Sequence, residues 1–394
     1  MTTNSDRPTL TFTPSPEPTI GVELEVPIVD RSTRELVPGS ARILSACAEE
    51  GIDGVSAELM QSMLEVRTDV CADVAAIRDQ LVTKLRRVRN VANSTGYDLG
   101  LLASHPSARP NDHTVVPAEH YLKLQGRMAW MVYHRVTFGL HVHVGVRSGD
   151  EAIGLINLMV QYLPHLIAAS ANSPFWQGVD TGLASSRCAL YNLVTHAGVP
   201  QYFTDWKSFR RYCRIMQECG ALRSVTCLKW DIRPRPDFGT IEVRACDTPA
   251  TLRDVLGLAA LIRTLTIANQ SLLKEKPATR RGDIRRQWIT AENRWLATRF
   301  GLDAILIRTP GGKRRILRQD LADLVERLLP VAAASGDAAF LRHLGATHES
   351  HTGAARQRRV YRDTGRWEAV VDDAVRRLDD GLRDRAAPAA AARG

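Results

Sequence analysis

Acidic residues at every second position inside otherwise apolar runs constrain this chain more than any other feature. In Ile20-Gly21-Val22-Glu23-Leu24-Glu25-Val26 the apolar side chains fall on one side and Glu23 and Glu25 on the other. That is the period-two signature of a half-buried strand, and residues 30–35 supply the polar turn that ends it. The alternation returns over residues 138–146, where His141 and His143 share a side, and over 238–244, where Glu242 and Arg244 do. Residues 57–67 (AELMQSMLEVR) place Glu58 and Glu65 in a further strand-like stretch. Doubly covered parallel strands read as near-continuous apolar runs, so this pattern predicts an antiparallel sheet with one polar face.

Between these strands the period changes. Apolar residues recur at intervals of three and four over 73–92 and 152–171, and residues 206–217 follow the same rule, so helices are expected there. Residues 228–234 read as a short strand. After Thr251 the pattern is helical, broken by loops at 309–313 and 347–354. The expected class is α+β, an antiparallel sheet with helices packed on its apolar face. Residues 1–18, with four prolines, read as a flexible leader, 19–273 as the sheet with inserted helices, 274–385 as a helical part packed on it, and the Ala-rich 386–394 as a flexible tail.

Composition narrows the classes further. With 44% apolar and 24% charged residues, a chain of 394 residues can bury a sizeable core. Neither a secretory signal nor an uninterrupted apolar run of membrane-spanning length is evident, so a cytoplasmic protein without a membrane partner is expected. Seven cysteines at irregular spacings, with no C-x-x-C pair, read as reduced thiols rather than a disulfide framework or zinc site. The net charge of +9 comes from residues 274–394, which hold 25 Lys and Arg against 16 acids. There the bases interleave with acids along helical patterns, as solvated helix faces do, which argues against a nucleic-acid partner.

Carboxylates gathered on one sheet face repel one another unless cations neutralise them, and oxygen-rich sites suit Mg²⁺ or Mn²⁺. Glu23, Glu25, Glu58, Glu65 and Glu242 are therefore candidate ligands, joined by His141 or His143. Arg187, Arg233 and Arg244 are candidate anion clamps, because a guanidinium fork matches carboxylate and phosphate oxygens. No G-x-x-x-x-G-K-[ST] loop is present: Thr309-Pro310-Gly311-Gly312-Lys313 lacks both the spacing and the hydroxyl. No G-x-S-x-G elbow occurs either.

Gly21-Val22-Glu23-Leu24-Glu25, Gly139-Leu140-His141-Val142-His143-Val144-Gly145, Trp230-Asp231-Ile232-Arg233-Pro234 and Thr240-Ile241-Glu242-Val243-Arg244 together resemble the carboxylate–amine ligase branch of the glutamate–cysteine ligase family. Residues 173–178 and 180–187 and the run Glu292-Asn293-Arg294-Trp295 extend the resemblance over about residues 19–380. Leu24 departs from it, since this branch more often carries a third glutamate there. The resemblance implies a curved antiparallel sheet forming a funnel like that of glutamine synthetase, with ATP and Mg²⁺ (or Mn²⁺) at one end. It also implies that a substrate carboxylate takes the γ-phosphoryl group of ATP to give an acyl phosphate, which an amine then displaces to form the amide. On that basis Glu23, Glu25, Glu58, Glu65, His141 and Glu242 hold metal, Trp230, Arg233 and Arg244 contact the nucleotide, and Arg187, Arg233 and Arg244 serve the reaction. The partners would be a small-molecule carboxylate and an amine, of glutathione-like or specialised metabolism, and a homo-oligomer is compatible with all of this.

Two readings from other classes use the same residues. A metal-dependent hydrolase would employ the His/Glu set around a tightly held transition metal. A nucleic-acid-binding protein would employ the basic last third and show salt-dependent binding.

Overall fold

The computed structural model describes residues 10–194, 196–275, 284–309, 311–347 and 352–383. Its centre is a seven-stranded sheet whose strands we label in chain order: β1 (Ile20–Asp30), β2 (Val55–Ala57), β3 (Met63–Arg67), β4 (Tyr97–Leu99), β5 (Gly139–Gly145), β6 (Ile232–Arg235) and β7 (Thr240–Asp247). They lie in the order β6-β7-β5-β1-β3-β2, with β4 added to the far end of β1, and every pairing is antiparallel. The α+β class with one polar sheet face is thus what the alternation required.

The register decides which side chains meet. Glu23 stands opposite His141 on β5 and Arg67 on β3, Glu25 opposite Glu65, and Glu242 between His143 and Arg233. The intervening residues Val22, Leu24, Val142 and Val243 are buried in the core on the other face. Leu24 pairs with Leu140 and Val66 there, so a glutamate at this position would point away from the other two acids. Between Val243 and Cys246 the register of β7 shifts, setting Arg244 and Ala245 against the single residue His141. Such a bulge re-aims a side chain, here Arg244.

Helices cover the apolar face. Val74–Ser94, capped by the Asp73 carboxylate accepting from the Ala76 N–H, packs there with Gly149–Met159, Leu163–Ser170 and Leu252–Glu275. The same core continues into Leu317–Ala334, Ala338–Thr347 and Trp367–Arg383, so the helical last third shares the sheet's core. Two stretches, Gly149–Ser170 and Leu252–Lys274, have the length and composition to cross a membrane, although charged residues interrupt both. In each, 72% of the apolar window is buried inside the protein, where it forms this core.

Other expectations need correction. Residues 57–67 do not form one strand: β2 ends at Ala57, and Glu58 lies on the segment leading to β3. Around the break at 309–313, of which Pro310 lies outside the described residues, Ile305–Ile307 pairs with Arg314–Ile316, two strands too short for periodicity to reveal. Of the leader, residues 1–9 lie outside the described residues. Its remainder is extended and tied to the sheet, with the Thr13 N–H donating to Pro236 O and the Ser15 N–H to Val146 O. The tail at 386–394 and part of the break at 347–354 also lie outside the described residues. All seven cysteines are free, and Cys47, Cys71, Cys188, Cys213 and Cys246 are buried. The basic surplus is largely answered locally: Arg356, Arg376 and Arg377 converge on Asp373, and Arg358 pairs with Asp180.

Candidate active site

Two groups of side chains on the polar face could each hold a cation, Glu23 with His141 and Glu242, and Glu25 with Glu65 and His141, the ligand atoms of each lying within 4.8 Å of one another. His141, rather than His143, belongs to both. Its Nδ1 lies 3.2 Å from Glu23 Oε2 and 3.5 Å from an Arg244 nitrogen; with the proton on Nδ1, toward Glu23, the lone pair is on Nε2. That Nε2 is buried, has no hydrogen-bond partner and lies 3.8 Å from Glu25 Oε1. Burial, followed by the nearby Arg244 charge, pushes the His141 pKa down to about 3, so the ring is neutral at any physiological pH. A neutral imidazole with an unused buried lone pair, facing a row of carboxylates, fits a divalent cation. His143 instead has its Nδ1 3.0 Å from the Thr240 hydroxyl, with its Nε2 3.5 Å from Glu23.

The acids differ sharply in their surroundings. Burial, and then the charge of Glu58, raise the Glu25 carboxyl to about 7. Burial and the charges of Glu23, Glu58 and Glu25 push Glu65 well above the carboxylate range. Burial would lift Glu23 too, but its contacts with His141 and His143 hold it below its ordinary value. Glu58, although off the strands, accepts from the Leu59 N–H and lies 3.3 Å from the Tyr121 hydroxyl, close enough to act on both raised acids.

Binding a cation between Glu25 and Glu65 must displace their protons. Mg²⁺ affinity is therefore expected to tighten as pH rises through about 7 and to weaken below it, because the proton competes for the same oxygens. Calorimetric Mg²⁺ titrations at pH 6 and pH 8 measure this directly. Equal affinities would show that these carboxylates are not the ligands.

Glu242 is fully buried and fully answered. Arg233 grips it with Nε at 2.6 Å and a second nitrogen at 3.1 Å, Arg235 stands 3.3 Å away, and Arg244 bonds it from the same strand. Arg233 also donates to Thr226 O at 2.8 Å and Leu228 O at 2.7 Å, so each of its three nitrogens is engaged. Arg233, expected as an anion clamp, thus has its fork engaged on Glu242. Arg244 does not pair with Asp247, whose oxygens accept from the Ser173 and Ser185 hydroxyls and the Asn172 N–H. Arg244 keeps a buried Nε without a partner, and the adjacent Glu242 outweighs burial and holds the guanidinium firmly charged.

Arg187 is 1% exposed, donates to the carbonyl oxygen of Arg244 at 3.3 Å and lies over Gly139, where a Cβ would stand 2.0 Å from its guanidinium. Gly139 thus makes room for it, and the Gly139 N–H donates to Glu25. Arg187 belongs beneath the carboxylate row rather than at an open surface. Trp230, expected as a nucleotide contact, packs its ring with Phe203, Phe209 and Tyr212. Sequence reasoning passed over Arg235, Lys229, Arg135 and Tyr191. Lys229 offered the one available signal, as the only lysine within a strand segment among the described residues.

Comparison with known proteins gives the chain's relatives. The model of the family described as Glutamate-cysteine ligase family 2 matches residues 19–377. A protein of Gloeobacter violaceus carrying the provisional name glutamate–cysteine ligase 2 is 37% identical over 376 residues, covering 95% of this chain and 99% of its own. One of Thermobifida fusca with the same provisional name is 36% identical, covering 95% of this chain and 94% of its own. Among solved structures, the glutamate–cysteine ligase from Francisella tularensis in complex with AMP superposes with a TM-score of 0.66 at 12% identity, over 95% of this chain and 91% of that one. A bifunctional glutathione synthetase from Pasteurella multocida gives the same TM-score at 13% identity, over 93% of this chain and 53% of that one.

Proposed function

Because the chain belongs to glutamate–cysteine ligase family 2, we propose that it joins a carboxylic acid to an amine at the expense of ATP, through an acyl phosphate. The observation that carries this reading is the paired carboxylate groups around the unpartnered His141 Nε2, with Arg244 beside them. In the proposed reaction a carboxylate oxygen of the acid attacks the γ-phosphorus of ATP and ADP leaves. The amine nitrogen then attacks the acyl carbon, and inorganic phosphate departs as the amide forms. Phosphoryl transfer of this kind depends on positioning and on neutralising charge more than on covalent help from side chains.

Mg²⁺, or Mn²⁺, would neutralise phosphate charge when bound, held by Glu23, Glu25, Glu65, His141 and Glu242. Glu58 stands behind them, shaping the charge at Glu25 and Glu65. Arg244 presents a fixed positive charge with an unused Nε, and Glu242 holds that guanidinium on the polar face. Arg233 and Arg235 keep Glu242 in place. Since ATP is supplied in the cytoplasm, that is the compartment in which we place the enzyme. A metal-dependent hydrolase drew on the same His/Glu set, but a chain of this ligase family gives it no support.

Incubation with MgATP and mixed amino acids or small acids and amines is expected to release ADP only when both substrate classes are present, and to stop on chelation of the metal. ADP release that ignores both substrates and metal would refute the assignment.

A further inference from the structure

Asp247, the last residue of β7, stands opposite Gly139 of β5 and is wholly buried, yet the ligase chemistry above gives it no part. Its Oδ2 accepts from the Ser173 hydroxyl at 2.7 Å and the Asn172 N–H at 2.9 Å, and its Oδ1 from the Ser185 hydroxyl at 2.8 Å. Burial raises its pKa, and the Arg187 charge and these three donors oppose that rise. A carboxylate only accepts, and a hydroxyl has a single proton to give. Both serine protons are therefore drawn to Asp247, which leaves the serine lone pairs for other donors. Ser173 Oγ accepts from the Arg187 N–H at 3.1 Å, and Ser185 Oγ accepts from the Cys188 N–H at 3.2 Å. Those N–H groups belong to the first turn of the helix Ser186–Tyr191, of which Ser185 is the N-cap. Asp247 thus fixes where this helix starts, and with it the base of the Arg187 side chain. The Arg187 guanidinium lies against Gly139 and donates to the carbonyl oxygen of Arg244, inside the bulge of β7. The Gly139 N–H donates to Glu25, and Arg244 bonds Glu242, so Arg187 grips the backbone at the two points from which these charged groups are held.

We propose that Asp247 is a positioning residue for the ligase reaction, acting through Ser173, Ser185 and Arg187 on the placement of Glu25 and Arg244. The relay stands on the hydrogen bonds alone, while its effect on turnover rests on the ligase reading. Exchanging the carboxylate for an amide keeps the shape but sets a donor among donors. One of the contacts with the two hydroxyls and the Asn172 N–H must then be lost or reversed, and Arg187 loses a neighbouring negative charge.

Asp247→Asn, Arg187→Met and the double variant, with Asp337→Asn as control, test the relay through kcat for ADP release, measured well below each Tm, and through crystal structures of the full chain. Asp337 is also wholly buried, but it pairs with Arg263 and accepts from the Val74 N–H among the helices of the apolar face. Asp247→Asn should lower kcat by about tenfold or more, the scale on which small misplacements of a reacting centre act. Asp337→Asn should lower Tm yet leave kcat within about twofold, since a merely structural acid acts on folding alone. In the Arg187→Met background Asp247→Asn should cost less than about twofold, because the group it positions is already gone. The crystal structure of Asp247→Asn should show the Arg187 guanidinium moved off the Gly139 face. Ser173→Ala, which deletes only the hydroxyl between Asp247 and the Arg187 N–H, should give a smaller loss of the same kind and decides the matter if the aspartate variant does not fold. An Arg187 that stays in place, an unchanged kcat, or an equal loss in both backgrounds would overturn the proposal. If the wild-type chain releases no ADP with any acid and amine, the ligase reading falls instead, and the position of Arg187 in the crystals alone decides the relay.

Discussion

Glu25→Gln is expected to lower ATP-dependent turnover by roughly 100-fold or more, the scale on which removal of one preorganised electrostatic contact acts, while leaving the metal-free protein no less stable than the wild type. Both effects come from one cause. Without a cation, Glu25 is buried at 4% exposure and shares its surroundings with Glu58 and Glu65, so its charge is a burden to the fold. An amide of the same shape removes that charge and can still accept the Gly139 N–H. With Mg²⁺ and ADP present the order should reverse: the wild type gains stability from the bound ligands and the variant does not. Thermal melting in chelator and in MgADP, together with an ADP-release assay, covers both halves. Near-normal turnover in Glu25→Gln would remove Glu25 from the metal site.

Glu242→Gln should behave quite differently, because among the described residues Glu242 is the sole carboxylate that Arg233, Arg235 and Arg244 share. Removing its charge strands two buried guanidinium groups, a loss of roughly 3–5 kcal/mol when one partner of a buried pair is deleted. Against a total stability on the order of 5–15 kcal/mol, that is a severe destabilisation, visible as a drop in Tm on the order of ten degrees. The double variant Glu242→Gln/Arg244→Met removes one stranded cation and should recover part of the lost Tm but none of the turnover. Recovery of turnover with Tm would make the Glu242–Arg244 pair purely structural. From sequence alone Glu242 is a candidate metal ligand, whereas in the fold it is also the hub of an ion-pair cluster.

The alternation of Glu23, Glu25, His141, His143, Glu242 and Arg244 was legible because period two is a property of the strand itself and needs no knowledge of its neighbours. The same holds for Leu24, whose burial follows from lying between two polar positions. What the chain did not disclose is who meets whom. Nothing in Trp230-Asp231-Ile232-Arg233 says that Trp230 turns into an aromatic cluster, that Asp231 pairs with Arg294, or that Arg233 spends its fork on Glu242. Glu58 was misplaced because Leu59, Met60, Gln61 and Ser62 continue a strand-like composition through a turn that no glycine or proline marks.

The most direct test of the central claim, that this carboxylate face holds a divalent cation for a nucleotide, is pulsed electron paramagnetic resonance of Mn²⁺ bound to the protein with ADP. One ion should show both a nitrogen coupling, lost in His141→Ala, and a phosphorus coupling from the nucleotide. Nitrogen coupling without phosphorus, or a nitrogen coupling that survives His141→Ala, would contradict it.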